Sequence, residues 1–192
     1  RTMSQLVNAK TGNAKISRIF FWIPLDQISD FWHPAADAWR AEAWAEIVAR
    51  PDVIFIAPTK RVERIAECVY GQGLLQDGQA LGNLWHLASV ETQAMADARI
   101  QRLLALRKYG PWPVLGLSME PLLEYVAIDR CTFPVRRRRA AGLMQERLDW
   151  VIVGGESGPR ARMCHIDWVR DVRDQCQASG VPFYYKQGPG DD

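Results

Sequence analysis

Short apolar runs alternate with polar turns and with stretches of helical periodicity along most of the chain. The apolar runs predict strands near residues 19–23, 53–57, 84–88, 114–117, 150–153 and 182–185. The helical spacing of apolar positions predicts helices near residues 36–49, 62–69, 94–108 and 167–179. Because most successive strands are joined by helices, we predict right-handed crossovers and a parallel sheet. The almost continuously apolar strands agree, since parallel strands are covered on both faces.

The number of predicted units limits the fold. A complete eight-unit barrel needs about 250 residues, and this chain has 192. We therefore predict one α/β domain over residues 1–192, a partial (β/α) TIM-like barrel with about six parallel strands. An open doubly wound sheet is the alternative. Residues 1–18 are expected to be a polar N-terminal segment, and residues 122–146 an extended connection with a short helix and an arginine-rich stretch.

Composition excludes some classes and leaves others open. With 48% apolar and 24% charged residues, and no apolar run near the roughly 20 residues that cross a bilayer, we expect a soluble cytoplasmic protein with no membrane contact. The net charge of +2 neither requires nor excludes nucleic acid. The cysteines show no paired spacing of a zinc or iron–sulfur site. They are Cys68, Cys131, Cys164 and Cys176.

Polar and charged residues follow the predicted strands, unit after unit. In parallel α/β sheets the carboxyl ends of the strands and the loops after them converge on one face, where ligands bind. We therefore predict one shared site there. In strand order the residues are Asp26 and Asp30, Lys60 and Arg61, Glu91 and Gln93, Glu120, Glu156 and Ser157, and Lys186 and Gln187.

Three glutamates in this set demand compensation. Carboxylates brought to one partly dehydrated place repel each other, so positive charge nearby is needed to balance them. Either Lys60, Arg61 and Lys186 close a structural ion-pair network, or a cationic ligand group or a divalent metal lies among them. The spacing indicates no particular metal site. Gly154 and Gly155 would let backbone N–H groups approach a ligand closely.

The remaining polar and aromatic residues favour structural roles. His86 lies inside an apolar strand and is expected to be a hydrogen-bonded core histidine, while Thr59 and Ser157 are candidate helix caps. No Ser-His-Asp or Cys-His arrangement is evident from the spacing. We expect the tryptophans to be buried between helices and sheet rather than to stack on bases. These are Trp32, Trp39, Trp44, Trp85, Trp112, Trp150 and Trp168.

Several segments of the chain resemble known motifs. They are PTKRVERIAE, SVETQAMADARIQRLL, SMEPLL and LDWVIVGGESGPRARMCHIDWVRDVRDQCQASGVPFYYKQ, and more loosely ISDFWHP. In this order they are similar to successive motifs of an uncharacterised phage-type family that is also encoded in bacterial chromosomes. Members of that family look like relatives of the radical S-adenosylmethionine enzymes. The resemblance implies a partial TIM-like barrel with a ligand at its C-terminal mouth. It covers residues 19–187, and the positions that match include Lys60, Arg61, Glu91, Gln93, Glu120, Gly154, Gly155, Glu156, Ser157, Lys186 and Gln187.

The chain also departs from that family. The N-terminal three-cysteine motif that would ligate an iron–sulfur cluster is missing, and Met119 and Thr92 stand where cysteine and asparagine are usual. The resemblance therefore implies that the protein binds a polar ligand, adenosylmethionine or a nucleotide, without assigning a catalytic residue. Glu120 and Glu156 would accept hydrogen bonds from an amine or ribose, and Lys60 and Lys186 would balance charge or hold a carboxylate or phosphate.

A second hypothesis comes from a different class. The protein would be a non-catalytic phage accessory module that binds nucleic acid or protein through Arg136, Arg137, Arg138 and Arg139. Runs of like charge are more often a solvated helix face or loop than a phosphate-binding patch. If the gene belongs to a phage, the host cytoplasm is the expected location. Whether the protein is an enzyme, and in what oligomeric state, is left open by the residues.

Overall fold

A computed structural model describes residues 18–21, 30–71, 80–109, 112–129, 138–139, 142–143 and 147–189, with the backbone alone for residues 18–21, 138–139 and 142–143. Six strands form one parallel sheet in the order β1-β2-β3-β4-β7-β8. They are β1 (Arg18–Phe21), β2 (Val53–Thr59), β3 (Leu84–Ser89), β4 (Leu115–Met119), β7 (Trp150–Val153) and β8 (Phe183–Tyr185). A separate antiparallel hairpin consists of β5 (Arg138–Arg139) and β6 (Gly142–Leu143). The predicted parallel α/β sheet is confirmed.

Four complete α-helices of the described ranges connect or follow the strands of the sheet. They are α1 (Arg40–Ala49), α2 (Val62–Gly71), α3 (Gln93–Ala105) and α4 (Ile166–Ala178), with short 3₁₀ turns at Pro34–Ala36 and Leu106–Tyr109. The start of α3 shows why the chain turns where it does. The Thr92 hydroxyl accepts a hydrogen bond from the Met95 backbone N at 3.4 Å, which satisfies one of the unpaired N–H groups of the first turn.

The strand order excludes the doubly wound alternative for the described sheet. A doubly wound sheet reverses its strand order at a switch point and carries helices on both faces. Here the six strands follow each other in chain order, and β1 and β8 are not paired in the part of the chain that the structure describes. Right-handed crossovers in a consecutive order place the helices on one face. The sheet is therefore open and covered by helices from one side.

The core confirms that the two faces of the sheet differ. One cluster joins the helices to alternate strand residues such as Phe55, Ala88 and Val151. A second cluster contains the intervening strand residues and no helix residue among the described ones. Its members are Ile54, Ile56, Trp85, Leu87, Val114, Trp150 and Ile152, with Tyr184 packed against them. We call this second surface the inner face.

Two tryptophans of the inner face meet across an intervening strand. The rings of Trp85 in β3 and Trp150 in β7 are 5.7 Å apart and nearly perpendicular, although β4 lies between the two strands. Gly116 of β4 has no side chain in the way, and a Cβ there would lie only 2.6 Å from the backbone O of Trp150. The expectation that all the tryptophans lie between helices and sheet is therefore wrong for these two, which pack on the opposite face.

His86 lies on the helix-facing side, between Trp32 and Trp112, at centroid distances of 5.4 and 5.0 Å. Complete burial lowers its pKa to about 3, so the imidazole is neutral at pH 7. The predicted burial is confirmed. The predicted hydrogen bonding is not, because Nδ1 has no partner among the described residues.

The second half of the chain departs most from the prediction. Arg138 and Arg139 form the short strand β5 rather than a helix face or a loop, and the side chains of residues 136–139 lie outside the described part, as do Asp26 and Cys131. Residues 122–127 run without regular structure. Within the described ranges, none of the helices has both the length and the apolar character that a bilayer-spanning segment requires.

Candidate functional site

The carboxyl ends of β2, β3, β4, β7 and β8 form a continuous edge that carries Lys60, Glu91, Glu120, Gly154 and Lys186. We call this edge the mouth. Backbone hydrogen bonds hold neighbouring strand ends together beyond the regular strands, from Val90 N to Ser118 O at 2.9 Å, from Gly154 N to Met119 O at 3.1 Å, and from Lys186 N to Val153 O at 2.9 Å. The mouth is therefore built on the sheet and not on independent loops.

Strand periodicity explains why these side chains face the same way. Successive residues of a strand point to opposite faces, so residues two apart share a face. Counting in twos from the inner-face residues Leu87, Val114 and Ile152 leads to Glu91, Glu120 and Gly154 respectively. The five mouth positions thus continue the inner face at its carboxyl edge, as the sequence predicts for a shared site.

Glu91 is held from two sides. Nη1 of Arg99, on α3, donates to Glu91 Oε2 at 3.0 Å and to the backbone O of Ser89 at 2.6 Å. Nζ of Lys60 lies 2.8 Å from Oε1, on the other side of the carboxylate. Burial raises the pKa of Glu91, but the contact with Lys60 and the charges of Lys60 and Arg99 outweigh burial, and the pKa lies below its usual value.

Glu120 is held more loosely. Its Oε2 lies 3.4 Å from Ser118 Oγ and 3.6 Å from Lys186 Nζ, both longer than a strong charge-assisted hydrogen bond. Its Oε1 is buried and accepts no hydrogen bond from any residue in the described ranges. Lys186 follows β8 and Glu120 follows β4, so the lysine reaches over the end of β7. It can do so because Gly154 stands there without a side chain, and a Cβ on Gly154 would lie 3.2 Å from Oε1.

Glu156 has a different role from the one expected. Arg162 donates to both of its carboxylate oxygens, from Nε to Oε2 and from Nη2 to Oε1 at 2.8 Å each. The backbone N of Arg162 also donates to Oε2, at 2.9 Å. The hydrogen bonds from Arg162 lower the pKa of Glu156 to about 2. Between the two residues the loop turns at Gly158, whose φ of +94° favours glycine. We therefore infer that Glu156 stabilises the conformation of this loop.

Gly155 is required by close contact with the C-terminal segment. Its N donates to the backbone O of Gln187 at 2.9 Å, and a Cβ on it would lie 2.5 Å from the backbone N of Pro189. Nearby, Nε2 of Gln187 donates to Ser157 Oγ at 3.1 Å. In the structure this glycine therefore serves to pack two chain segments, and Ser157 joins that contact instead of capping a helix.

Two predicted residues have their contacts with residues other than the five mouth positions. Arg61 pairs with Asp30 at 2.9 Å, and Gln93 holds the loop after β4 by accepting from Ala127 N at 2.7 Å. Asp30 also accepts from the backbone N of Trp32 at 3.0 Å, which fixes the turn before α1. The Thr59 hydroxyl accepts from Arg61 N at 2.9 Å, which fixes the turn before α2 and does not cap a helix N–H group.

Arg99, Arg162 and Ser118 are site residues that sequence reasoning missed. Arg99 lies eight positions after Glu91 and Arg162 six positions after Glu156, so each cation belongs to the same βα unit as its carboxylate. That shared unit is the signal that could have identified them. With these arginines, each of the three glutamates has a cationic neighbour, and the structural-network alternative accounts for most of the charge balance.

The described side chains do not form a metal or cluster site. Cys68, Cys164 and Cys176 are each buried as free thiols, and burial raises the pKa of each, for Cys176 to about 12. Across the described ranges, no group of three or more His, Cys, Asp or Glu side chains is arranged to hold a metal ion. Because iron–sulfur clusters need thiolates at one place, these residues do not fit one.

Comparisons with known proteins give one match. The model of a family described as "Protein of unknown function (DUF5131)" matches residues 5–190. No curated protein and no solved structure matches the chain. Because the family model spans nearly the whole sequence, the protein belongs to the DUF5131 family of proteins of unknown function.

Proposed function

We propose that this protein is a phage-type relative of the radical S-adenosylmethionine proteins, built on a partial (β/α) barrel, that binds a small polar ligand at the mouth. Adenosylmethionine and a nucleotide are the candidate ligands. The observation that carries the proposal is the contact between Lys186 and Glu120, 3.6 Å long, which spans the end of β7 above Gly154. It brings charges from non-neighbouring strands together at one place on the mouth.

Three features support the partial barrel. The strands are in consecutive order, as in (β/α) barrels and unlike doubly wound sheets. The described helices all pack on one face. Contacts across an intervening strand occur twice on the inner face, between Trp85 and Trp150 and between Glu120 and Lys186. Such contacts are expected where the sheet curls towards this face.

The contacts give the mouth residues separate roles in the proposal. Glu120 accepts hydrogen bonds from a donor on the ligand, because one of its oxygens is buried and has no donor in the described chain. Lys60, whose side chain is 61% exposed, and Lys186 present charge to an anionic group of the ligand. Glu91 and Glu156 are largely satisfied by arginines and support the site from outside it. The proposal assigns no catalytic residue.

Isothermal titration with adenosylmethionine and, separately, with adenosine monophosphate tests the proposal. We expect one of them to bind, and Glu120→Gln to weaken that binding at least about tenfold. Arg170→Gln is the matched control, since Arg170 is an exposed residue of α4 that pairs with its neighbour Asp167. If neither compound binds with a Kd below about 1 mM, adenosylmethionine and nucleotides are excluded as ligands, and if Glu120→Gln binds like the wild type, the proposed ligand site is wrong.

Nucleic-acid binding through residues 136–139 is the competing outcome. A single-stranded and a duplex oligonucleotide, titrated at two salt concentrations, test it. Tight binding that falls steeply with salt, and that is lost when the four arginines are replaced by alanine, would favour the accessory-module function over the ligand site.

A further inference from the structure

We infer that the ammonium group of Lys186 stands in for a cationic nitrogen of the ligand, and that the ligand therefore carries an amine that displaces Lys186 from Glu120. The inference rests on the proposed ligand site and deepens it, because it names the chemical class of one ligand group. It also reverses the expected role of Lys186, which becomes a competitor at Glu120 rather than only a contact for an anion.

The first support is the state of the Glu120 carboxylate. Oε1 is buried and has no donor within the described chain, and leaving a buried charged oxygen without a partner is costly. Ser118 Oγ approaches the other oxygen, Oε2, at 3.4 Å. A donor is thus missing at Oε1, and this oxygen packs closely against Gly154, where even a Cβ would lie 3.2 Å from it.

The second support is the weakness of the lysine contact. Nζ of Lys186 stays 3.6 Å from Oε2, whereas Lys60 approaches Glu91 to 2.8 Å and Arg162 approaches Glu156 to 2.8 Å. The side chain of Lys186 is 45% exposed, so the ammonium can move into water at little cost. An ion pair of this kind contributes little and is easily exchanged.

Charge decides which ligand group replaces the lysine. If a neutral hydroxyl displaced Lys186, the partly buried Glu120 would lose its cation, since Ser118 is neutral. An anionic group would be repelled by Glu120 at this position. A cationic nitrogen keeps the charge balance and supplies a donor for Oε1. The displaced lysine would then remain next to the ligand and could pair with an anionic part of it.

Propylammonium is the probe, and 1-propanol is its neutral control of similar shape. We expect propylammonium to shift the side-chain ¹³Cε resonance of Lys186 in wild-type protein, and propanol to leave it unmoved. Lys186→Met removes the competing cation and is expected to tighten propylammonium binding about fivefold. That factor corresponds to the free energy that an exposed ion pair contributes. Glu120→Gln is expected to abolish it, while Arg170→Gln binds as the wild type does.

Weaker or unchanged propylammonium binding in Lys186→Met would overturn the inference, and so would an unmoved Lys186 resonance in the wild type, which needs no variant to fold. The two proposals can fail separately. If adenosylmethionine or adenosine monophosphate binds through Glu120 but propylammonium does not, the ligand site stands and the amine assignment falls. If propylammonium binds as expected and neither larger compound does, the amine assignment stands and those two ligands are excluded.

Discussion

Glu91 and Glu120 stand at the ends of neighbouring strands of one sheet, yet their surroundings differ. Glu91 belongs to a unit that continues into a helix, and Arg99 on α3 reaches back to it and to the backbone of Ser89. Glu120 is followed by residues 122–127, which have no regular structure. Its nearest cation comes instead from a strand two places away in the sheet.

The difference separates a structural carboxylate from a binding carboxylate. A carboxylate whose charge is answered by a fixed arginine of its own unit adds to stability and has little to offer a ligand. A carboxylate whose nearby cation is an exposed lysine at 3.6 Å gains by meeting a ligand. Matched substitutions can therefore be compared at the two residues. Changes around Glu91 are expected to affect folding, and changes around Glu120 are expected to affect ligand binding.

Removal of the fixed arginine is expected to give the largest effect. Arg99→Met removes from Glu91, which is 8% exposed, the arginine that holds one of its oxygens, so the free energy of unfolding should fall by about 2–4 kcal/mol. Urea unfolding measures this change. Arg170→Met, which breaks an exposed pair on α4, is the control and should stay within about 0.5 kcal/mol of the wild type. Equal losses in both variants would contradict the structural role of Arg99.

Replacing each carboxylate by its amide sharpens the comparison. Glu91→Gln removes the charge that Lys60 and Arg99 share, and we expect a loss of about 1–2 kcal/mol in the free energy of unfolding. Glu120→Gln removes a charge with poor partners and should change stability by less than about 0.5 kcal/mol while ligand binding is lost. If Glu120→Gln proved the more destabilising of the two, the roles assigned to the two glutamates would have to be exchanged.

The sheet and the composition of the mouth were predictable because they depend on local pattern. Apolar runs such as residues 150–153 must be buried on both faces, so they predict strands, and the polar residues just after them must share one edge in a parallel sheet. The strand Trp150–Val153 matches that prediction. Where the pattern is weakest, around residues 136–139, the prediction of a helix face or loop was wrong for Arg138 and Arg139.

Pairings between distant elements could not be predicted in the same way. Lys186 meets Glu120 only because β8 and β4 flank β7 and because Gly154 leaves the path open, and strand order is not contained in the period of any single segment. Glu156 was expected to face a ligand, but the turn at Gly158 returns Arg162 to it. Loop paths of this kind depend on tertiary contacts as well as on residue type.

Gly154→Ala tests how a ligand reaches Glu120, and we expect it to change stability less than Arg99→Met does. The new Cβ would lie 3.2 Å from Glu120 Oε1 and 3.4 Å from Glu120 Cγ, and a side-chain end can shift to accommodate it. We expect a loss of at most about 1 kcal/mol in the free energy of unfolding, together with clearly weaker binding of propylammonium. Binding that is unaffected by the alanine would show that ligands do not approach Glu120 from the β7 side.

Arg162→Gln is expected to have the smallest effect on stability, because its contact with Glu156 lies at the surface. The sensitive measurement is the carboxyl ¹³C titration of Glu156, whose pKa should rise from about 2 towards 4.5 when the arginine is removed. Since the folded pKa is depressed, the pair stabilises the protein above pH 4.5, and this contribution is lost as the pH falls from 4.5 towards 2. Arg162→Gln should therefore flatten the pH dependence of unfolding in that window. A Glu156 pKa that stayed near 2 in the variant would mean that groups other than Arg162 stabilise this carboxylate. Glu156 would then resemble Glu91, which has more than one cationic neighbour.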